Sequence, residues 1–260
     1  MQNVDPIPTG PPHDDPDNLG GPAETLDLSE IVLATGNPHK VAELRAIFDR
    51  ALAARDGTPM IDVKALDDFP GGGFIEPVED GADFVANATI KAVSYAEQTG
   101  RPCLADDSGL EVDALGGAPG VISSHYFNEG RTDGAAEGMG RADRDRANNE
   151  RLLSELDGVA PEARTARFVC VMVLALPPEG AHLGRPIAQV RGTFEGRIGL
   201  PHGEHPIPRG EYGFGYDPLF LVAPKFDRTG AELPAEEKNR LSHRGQAAAM
   251  MARELKRLLS

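Results

Sequence analysis

Cysteine is scarce in this chain of 260 residues, which has two. Cys103 and Cys170 both lie in apolar, strand-like runs. Two buried thiols do not make a disulfide framework, and they are typical of a reducing compartment. A disulfide between them has no support in the pattern. We therefore expect free thiols and a cytoplasmic protein.

Positive charge is also low: 26 Lys and Arg stand against 41 Asp and Glu, for a formal net charge of −15. Nucleic acids and anionic membranes are themselves negative, so this balance disfavours both as the main partner. No run is long and apolar enough to span a bilayer. The first thirty residues lack the basic start and apolar middle of a signal peptide. We expect a soluble protein.

Residues 1–29 are rich in Pro, Gly and Asp and contain very few large apolar side chains. Burial in such a segment cannot offset the entropy lost on ordering, so we predict a disordered acidic tail over 1–29. One folded domain is expected over 30–260. Within it, residues 128–148 are rich in Gly and charge and show no periodicity, which predicts an inserted surface loop.

The folded part alternates between strand-like and helix-like patterns. Strands are predicted near 30–34, 60–66, 101–106, 166–176, 187–195 and 219–222. Helices are predicted near 38–55, 83–100, 147–157 and 244–259. The alternation indicates an α/β fold, with antiparallel pairing where the fourth of these strands meets the fifth.

Asp106 and Asp107 follow an apolar run and precede Ser-Gly, so we expect both carboxylates where a strand breaks into a loop. Two adjacent acids can hold Mg²⁺, or one can hold the metal while the other takes a proton. Judged alone, the pair is more typical of an exposed acidic turn. Glu79 is a candidate third oxygen ligand, although alone it is better explained as a solvated carboxylate beside Asp80.

The segment Thr35-Gly36-Asn37, followed by Lys40, indicates a strand entering a helix through a small polar turn. Free backbone N–H groups and the helix dipole make such a turn an anion site, and the Lys40 ammonium can meet a phosphate there. The spacing is not that of a P-loop. About half of such turns are plain helix starts.

Two later segments extend the pattern. In the run from Gly213 to Pro218, glycines flank Phe214, so the backbone can approach a planar ligand on which the ring stacks; the alternative is a tight turn whose aromatics plug the core. In Ser242-His243-Arg244, with Lys238 upstream, cationic side chains can grip phosphate oxygens or a base edge; the alternative is helix capping by Ser242. Together the four segments predict a site for Mg²⁺ and a nucleoside triphosphate.

Six motifs, in order and spacing, resemble the inosine triphosphate pyrophosphatase family over about 31–260. They are Leu33–Asn37 with Lys40, Phe84–Ala88 with Lys91-Ala92, Ala105–Leu110, Leu115–Gly120, Gly213–Pro218 and Ser242–Ala247. The resemblance implies hydrolysis of dITP, ITP and XTP to the monophosphate and pyrophosphate, which cleanses the nucleotide pool. It also implies Mg²⁺, a homodimer, and an elongated two-lobed mixed sheet flanked by helices, with the nucleotide cleft between the lobes. Residues 30–260 are then the catalytic domain.

Matched by position, the resemblance implies that Asp107 is the proton acceptor and a metal-associated acid, with Asp106 beside it and Glu79 at the acidic metal position. The implied substrate contacts are Thr35, Gly36, Asn37, Lys40, Ser108, Phe214, Gly215, Tyr216, Asp217, Lys238, His243 and Arg244. The chain departs from the family in a shorter loop around Glu79, a longer segment 128–148, and His125 where most members have arginine.

Two other functions remain open at this point. Maf-type proteins also cleave nucleoside triphosphates but prefer pyrimidines. A non-catalytic module that binds purine nucleotides is the second alternative, and it would require the carboxylates to be spoiled, whereas Asp106, Asp107 and Glu79 are all present.

Overall fold

A computed structural model describes residues 27–53, 57–69 and 72–260. Most of the predicted tail, residues 1–26, lies outside the described residues. Leu28 is only 1% exposed and belongs to the same apolar cluster as Ile31 and Phe48, so the packed part of the chain starts by Leu28. No helix in the described ranges is long and apolar enough to cross a membrane.

Six strands form one mixed sheet in the order β2-β1-β3-β4-β5-β6. The strands are β1 Glu30–Leu33, β2 Asp62–Ala65, β3 Cys103–Val112, β4 Thr165–Leu176, β5 Arg185–Ile198 and β6 Phe220–Val222. β1 pairs in parallel with β2 and β3, and the other pairs are antiparallel. The predicted α/β class, mixed sheet and antiparallel β4–β5 pairing are confirmed.

Helices cover both faces of the sheet. They are α1 Pro38–Ala51, α2 Phe84–Thr99, α3 Arg141–Glu155, α4 Ala235–Leu241 and α5 His243–Leu258. α1 and α5 share an apolar cluster with one face of the sheet, and α2 shares another with the opposite face. A third cluster lies at the other end of β3, β4 and β5, so the long strands join two lobes.

The start and end of α2 follow from its sequence. Asp83 has extended backbone angles, and its side chain accepts a hydrogen bond from the Ala86 N–H at 2.8 Å, which satisfies one of the free donors of the first turn. The helix ends at Gly100, whose φ of 64° is left-handed and therefore favours glycine. This helix carries Asn87 and Lys91, which both contact Asp107.

β3 is longer than predicted. It continues through Asp106 and Asp107 to Val112, because it pairs residue by residue with β4 over its whole length. Gly109 is suited to the middle of this strand, since a Cβ there would lie 2.5 Å from the Gly120 carbonyl oxygen. The expectation that the two acids mark a strand break is therefore wrong. Neighbours within a strand point to opposite faces of the sheet.

The predicted surface loop at 128–148 is partly helical. α3 begins at Arg141, before the predicted start at 147. Its first turns carry charged and polar residues, so apolar periodicity gives no signal there. They are anchored by polar contacts instead: Asn148 accepts the Phe127 N–H at 2.9 Å and donates to the Ser124 carbonyl at 3.1 Å.

Candidate active site

Asp107 faces α2. Its carboxylate lies 3.3 Å from the Asn87 amide nitrogen and 3.2 Å from the Lys91 ammonium. Asn87 and Lys91 are four residues apart on α2, so they share one helix face. The same ammonium lies 2.7 Å from Glu79. Lys91 thus joins Asp107 and Glu79, two of the three acids that the sequence predicts as metal ligands.

Burial raises the pKa of the Asp107 carboxyl above its ordinary value; Lys91 opposes this and Glu79 reinforces it. Burial alone would lower the pKa of Lys91, but the negative charges of Asp107, Asp106 and Glu79 outweigh it, and the pKa is raised. Lys91 therefore stays charged, and Asp107 is a carboxylate with an increased tendency to take up a proton.

Asp106 faces the opposite side of the sheet. Both of its oxygens accept hydrogen bonds from Lys40, at 3.0 and 2.9 Å, and one accepts from the Ser108 hydroxyl at 2.9 Å. Burial alone would raise the pKa of Asp106, yet the charges of Lys40 and Arg244 bring it well below the ordinary value. The carboxylate is already paired, and it lies across the sheet from Glu79. This geometry does not favour a metal shared by the two.

Arg244 completes this buried group of charges. It is 5% exposed, donates to Glu43 at 3.0 Å and has its Nε 3.6 Å from Asp106. Burial would lower the pKa of Arg244, but Asp106 and Glu43 raise it. Asp106, Lys40, Arg244 and Glu43 form what we call the buried charge cluster. It connects β3, α1 and α5.

The turn before α1 is the predicted strand-to-helix turn, but the N–H groups of Thr35 and Asn37 are already bonded within it, to the Leu33 carbonyl and to the Thr35 hydroxyl. The Thr35 hydroxyl accepts from the Asn37 N–H at 3.2 Å, and the Asn37 side chain accepts from the Lys40 N–H at 3.4 Å. A Cβ added to Gly36 would meet nothing within 4 Å. Space is therefore open at Gly36, beside the positive end of α1.

The segment Gly213–Pro218 combines both interpretations made from the sequence. Tyr216 is 4% exposed, and its hydroxyl donates to the Ser123 carbonyl at 2.8 Å. Its side chain therefore belongs to the core. Phe214 is 41% exposed, and its ring is accessible to a ligand. Its N–H donates to Asp217 at 2.8 Å, and Asp217 also accepts a short hydrogen bond from Lys238.

The start of α5 holds two buried polar atoms that lack a hydrogen-bond partner. Ser242 caps the helix by accepting the Gly245 N–H at 3.1 Å, as the capping alternative expected. The His243 ring stacks on Phe168 with a centroid distance of 5.1 Å. Among the described residues, His243 Nδ1 and Arg244 Nε are buried without a hydrogen bond. Such atoms in a cluster of charges indicate a place for a polar ligand.

His243 predicts a pH dependence of stability. Burial, then Arg244 and Lys238, hold its pKa well below the ordinary 6.5. Below about pH 6.5 the His243 side chain binds a proton in the unfolded chain but stays neutral in the folded protein. The free energy of unfolding therefore decreases as the pH decreases, by up to about 1.4 kcal/mol per pH unit. In thermal melts from pH 7.5 to 5, His243→Gln should flatten this fall. The exposed-site control His182→Gln should keep the wild-type slope, and equal slopes in all three proteins would refute the prediction.

The electrostatic neighbours of His243 connect the two parts of the site. Its pKa responds to Lys238, which binds the Phe214 segment, and to Asp106 and Lys40 of the buried charge cluster. Lys40 also acts on Asp107. Ion pairs bring Lys40, Lys91 and Arg244 to the two acids of β3. A further ion pair brings Lys238 to Asp217 of the Phe214 segment.

Sequence reasoning placed Asn87 and Lys91 in one motif of the resemblance but gave them no role, and it did not single out Glu43. The signal was helical spacing. Asn87 and Lys91 are four residues apart and face Asp107, whereas Glu43 stands three residues after Lys40 and reaches Arg244. Residues at these spacings are neighbours on a helix surface.

His125 occupies the position where an arginine was expected from the resemblance. Its Nδ1 lies 3.0 Å from the Ser124 hydroxyl. Burial, and then the charge of Arg144, lower its pKa. Histidine at this position is therefore neutral, and the positive charge nearby comes from Arg144 of α3.

The two acids joined by Lys91 suit a divalent cation. Among the described residues, no three Asp, Glu, His or Cys side chains form a metal-binding group. Mg²⁺ does not need one, since it is usually held by one or two carboxylates together with substrate phosphates and water. Glu79 and Asp107 already share one cation, the Lys91 ammonium, and this donor set fits Mg²⁺.

The mixed sheet, the two acids of β3 and the buried charge cluster are the features of an α/β enzyme suited to a polyphosphate substrate. The chain matches the model of the Ham1 family over residues 31–254. It is 44% identical over 220 residues to a dITP/XTP pyrophosphatase from Geobacillus kaustophilus (85% of this chain, 91% of that protein). It is 46% identical over 229 residues to one from Methylococcus capsulatus (88% and 97%). The chain therefore belongs to the Ham1 family, and the resemblance identified from the six motifs is confirmed.

Solved structures agree with this assignment. A HAM1 protein from Coxiella burnetii superposes with a TM-score of 0.67 at 38% identity, covering 88% of this chain and 98% of that one. A protein from Mycobacterium abscessus described as a nucleoside-triphosphatase and dITP/XTP pyrophosphatase gives 0.60 at 37% identity, covering 85% and 98%.

Proposed function

We propose that this protein hydrolyses non-standard purine nucleoside triphosphates, namely dITP, ITP and XTP, to the monophosphate and pyrophosphate. The observation that carries the proposal is the pair of acids on β3: Asp107 faces Lys91 and Glu79, and Asp106 faces Lys40 and Arg244. Asp107 is thus suited to proton transfer, and its neighbour Asp106 is suited to holding the cations that bind substrate. Membership of the Ham1 family supports the assignment, and it does not favour the Maf-type alternative.

The chemical step is attack of a water molecule on the α-phosphorus, with pyrophosphate as the leaving group. Asp107 takes the proton of that water, a role that its raised pKa favours. Glu79 and Asp107 would hold Mg²⁺, which neutralises charge on the phosphate oxygens. Positioning and electrostatics supply most of the acceleration, since such transfers need little covalent help.

The phosphates bind at the start of α1. The turn Thr35–Asn37 lies at the positive end of the α1 dipole, which favours a phosphate there. Ser108, whose hydroxyl donates to Asp106 at 2.9 Å, is the hydroxyl contact of this half of the site. Lys40 and Lys238 neutralise the charge that grows on the phosphate oxygens as pyrophosphate departs. Lys40 is held for this by Asp106, at 3.0 and 2.9 Å.

The base stacks on Phe214. His243 Nδ1 and Arg244 Nε, which lack a hydrogen bond, contact the polar edge of the base. A purine with a 6-oxo group accepts a hydrogen bond from Arg244, whereas adenine places an amino group there. A buried donor facing another donor costs about 1–3 kcal/mol. Guanine carries the same 6-oxo group, so rejection of GTP must come from its 2-amino group.

A substrate panel tests the function. We expect turnover of dITP well above that of ATP, GTP and dTTP, with pyrophosphate and not phosphate released in chromatography, and loss of turnover when Mg²⁺ is chelated. A preference for dTTP would instead favour the Maf-type alternative. Binding of dITP without Mg²⁺-dependent turnover would favour the non-catalytic module.

We also propose that the protein acts in the cytoplasm as a homodimer. The two buried free cysteines suit a reducing compartment. Light scattering of the purified protein should give twice the mass of one chain, and the mass of a single chain would reject the dimer.

A further inference from the structure

One face of α3 contacts the segment that carries Phe214. Arg141, Asp145 and Asn149 are four residues apart, so they lie on one side of the helix. The Arg141 guanidinium lies 4.2 Å from the centroid of the Phe214 ring. Asp145 accepts the Gly215 N–H at 2.9 Å, and Asn149 donates to the Gly215 carbonyl at 3.1 Å. Three successive turns of α3 therefore hold two adjacent residues.

These contacts restrain the segment Gly213–Gly215, which has few packing contacts of its own. Gly213 and Gly215 have φ values of 76° and 61°, and neither has a side chain to pack. Both polar groups of Gly215 are held by α3, and the Phe214 N–H is held by Asp217. The ring itself is 41% exposed, so few packing contacts set its orientation. Arg141 is the cation nearest its face, since Lys238 lies 5.7 Å from the centroid.

We infer that α3 positions the base-binding half of the site, and that Arg141 is a positioning residue that holds the Phe214 ring in the plane on which the purine stacks. The inference rests on the proposed function. A planar guanidinium stacks flat on an aromatic face, which an ammonium cannot do. Stacking of this kind at an exposed position corresponds to about two- to fivefold in binding.

Arg141→Ala tests the inference, with Arg146→Ala as the matched control. Arg146 belongs to the same helix, its side chain is 69% exposed, and it pairs with Asp143, so it controls for the lost charge. For Arg141→Ala we expect KM for dITP to rise about two- to fivefold, with kcat within about twofold of wild type. The KM of Arg141→Lys should lie between those of wild type and Arg141→Ala. The melting temperatures of all these variants should agree with that of wild type.

Calorimetry with the two products separates positioning from general damage. In Arg141→Ala, dIMP should bind about two- to fivefold more weakly, and pyrophosphate, which has no base, should bind as it does to wild type. Equal weakening of both products, or unchanged or tighter dIMP binding, would overturn the inference. Lack of dITP turnover in wild type that still binds dIMP would instead count against the proposed function, and lack of dIMP binding would count against both.

Discussion

Asp107→Asn is expected to lower kcat for dITP by about 10²–10⁴-fold, the range of a lost general base. Asparagine has nearly the same shape and can still meet the Asn87 amide, but it cannot take a proton from water. The folded protein should tolerate the change, because burial already raises the pKa of Asp107 and so disfavours its charged form. Steady-state kinetics with excess Mg²⁺, together with a thermal melt, measure both effects.

A matched control exists just beyond the end of the same strand. Asp113 follows β3 at the surface, where it pairs with Arg167 at 2.9 Å. Asp113→Asn removes one negative charge near β3 without touching the site, so kcat should stay at the wild-type value. Near-normal turnover in a well-folded Asp107→Asn protein would reject the role of Asp107 as proton acceptor.

Most of the sheet and the helices could be predicted because their signals are local. The apolar run 166–176 could only be a central strand, and Asn37-Pro38 marks the start of α1. The end of β3 could not be predicted in this way. A strand normally avoids a pair of charges, and only the cations of three helices, such as Lys40, Lys91 and Arg244, make burial of Asp106 and Asp107 tolerable.

In the site, too, local signals could be predicted from the sequence, whereas contacts between distant residues could not. Glycines and an aromatic predicted a ligand-binding segment, but the sequence could not say which ring would be exposed. The partner of Tyr216 is the Ser123 carbonyl, 93 positions away, and this contact assigns Tyr216 to the core and leaves Phe214 for the ligand. The contribution of α3 was hidden for a related reason. Arg141, Asp145 and Asn149 act through polar contacts, which apolar periodicity does not detect.

Asp106→Ala is expected to produce the largest loss of stability. It would leave Arg244 and Lys40 without their carboxylate, and Arg244 is 5% exposed. Removing one partner of a buried ion pair costs about 3–5 kcal/mol, which corresponds to a fall of about 6–20 °C in Tm. Asp106→Asn keeps a hydrogen-bond acceptor in place, and its Tm should lie between those of Asp106→Ala and wild type.

The same position decides whether the two neighbouring acids share one task. If Asp106 anchors Lys40 and Arg244, Asp106→Asn should bind dITP more weakly while its Mg²⁺ requirement stays at the wild-type value. Glu79→Gln, which removes an acid on the Asp107 side, should raise the Mg²⁺ concentration at half-maximal rate. Titrating Mg²⁺ at saturating dITP compares the two variants directly. An equal rise in both would place Asp106 at the metal, and β3 would then have to present both acids to one cation despite their opposite faces.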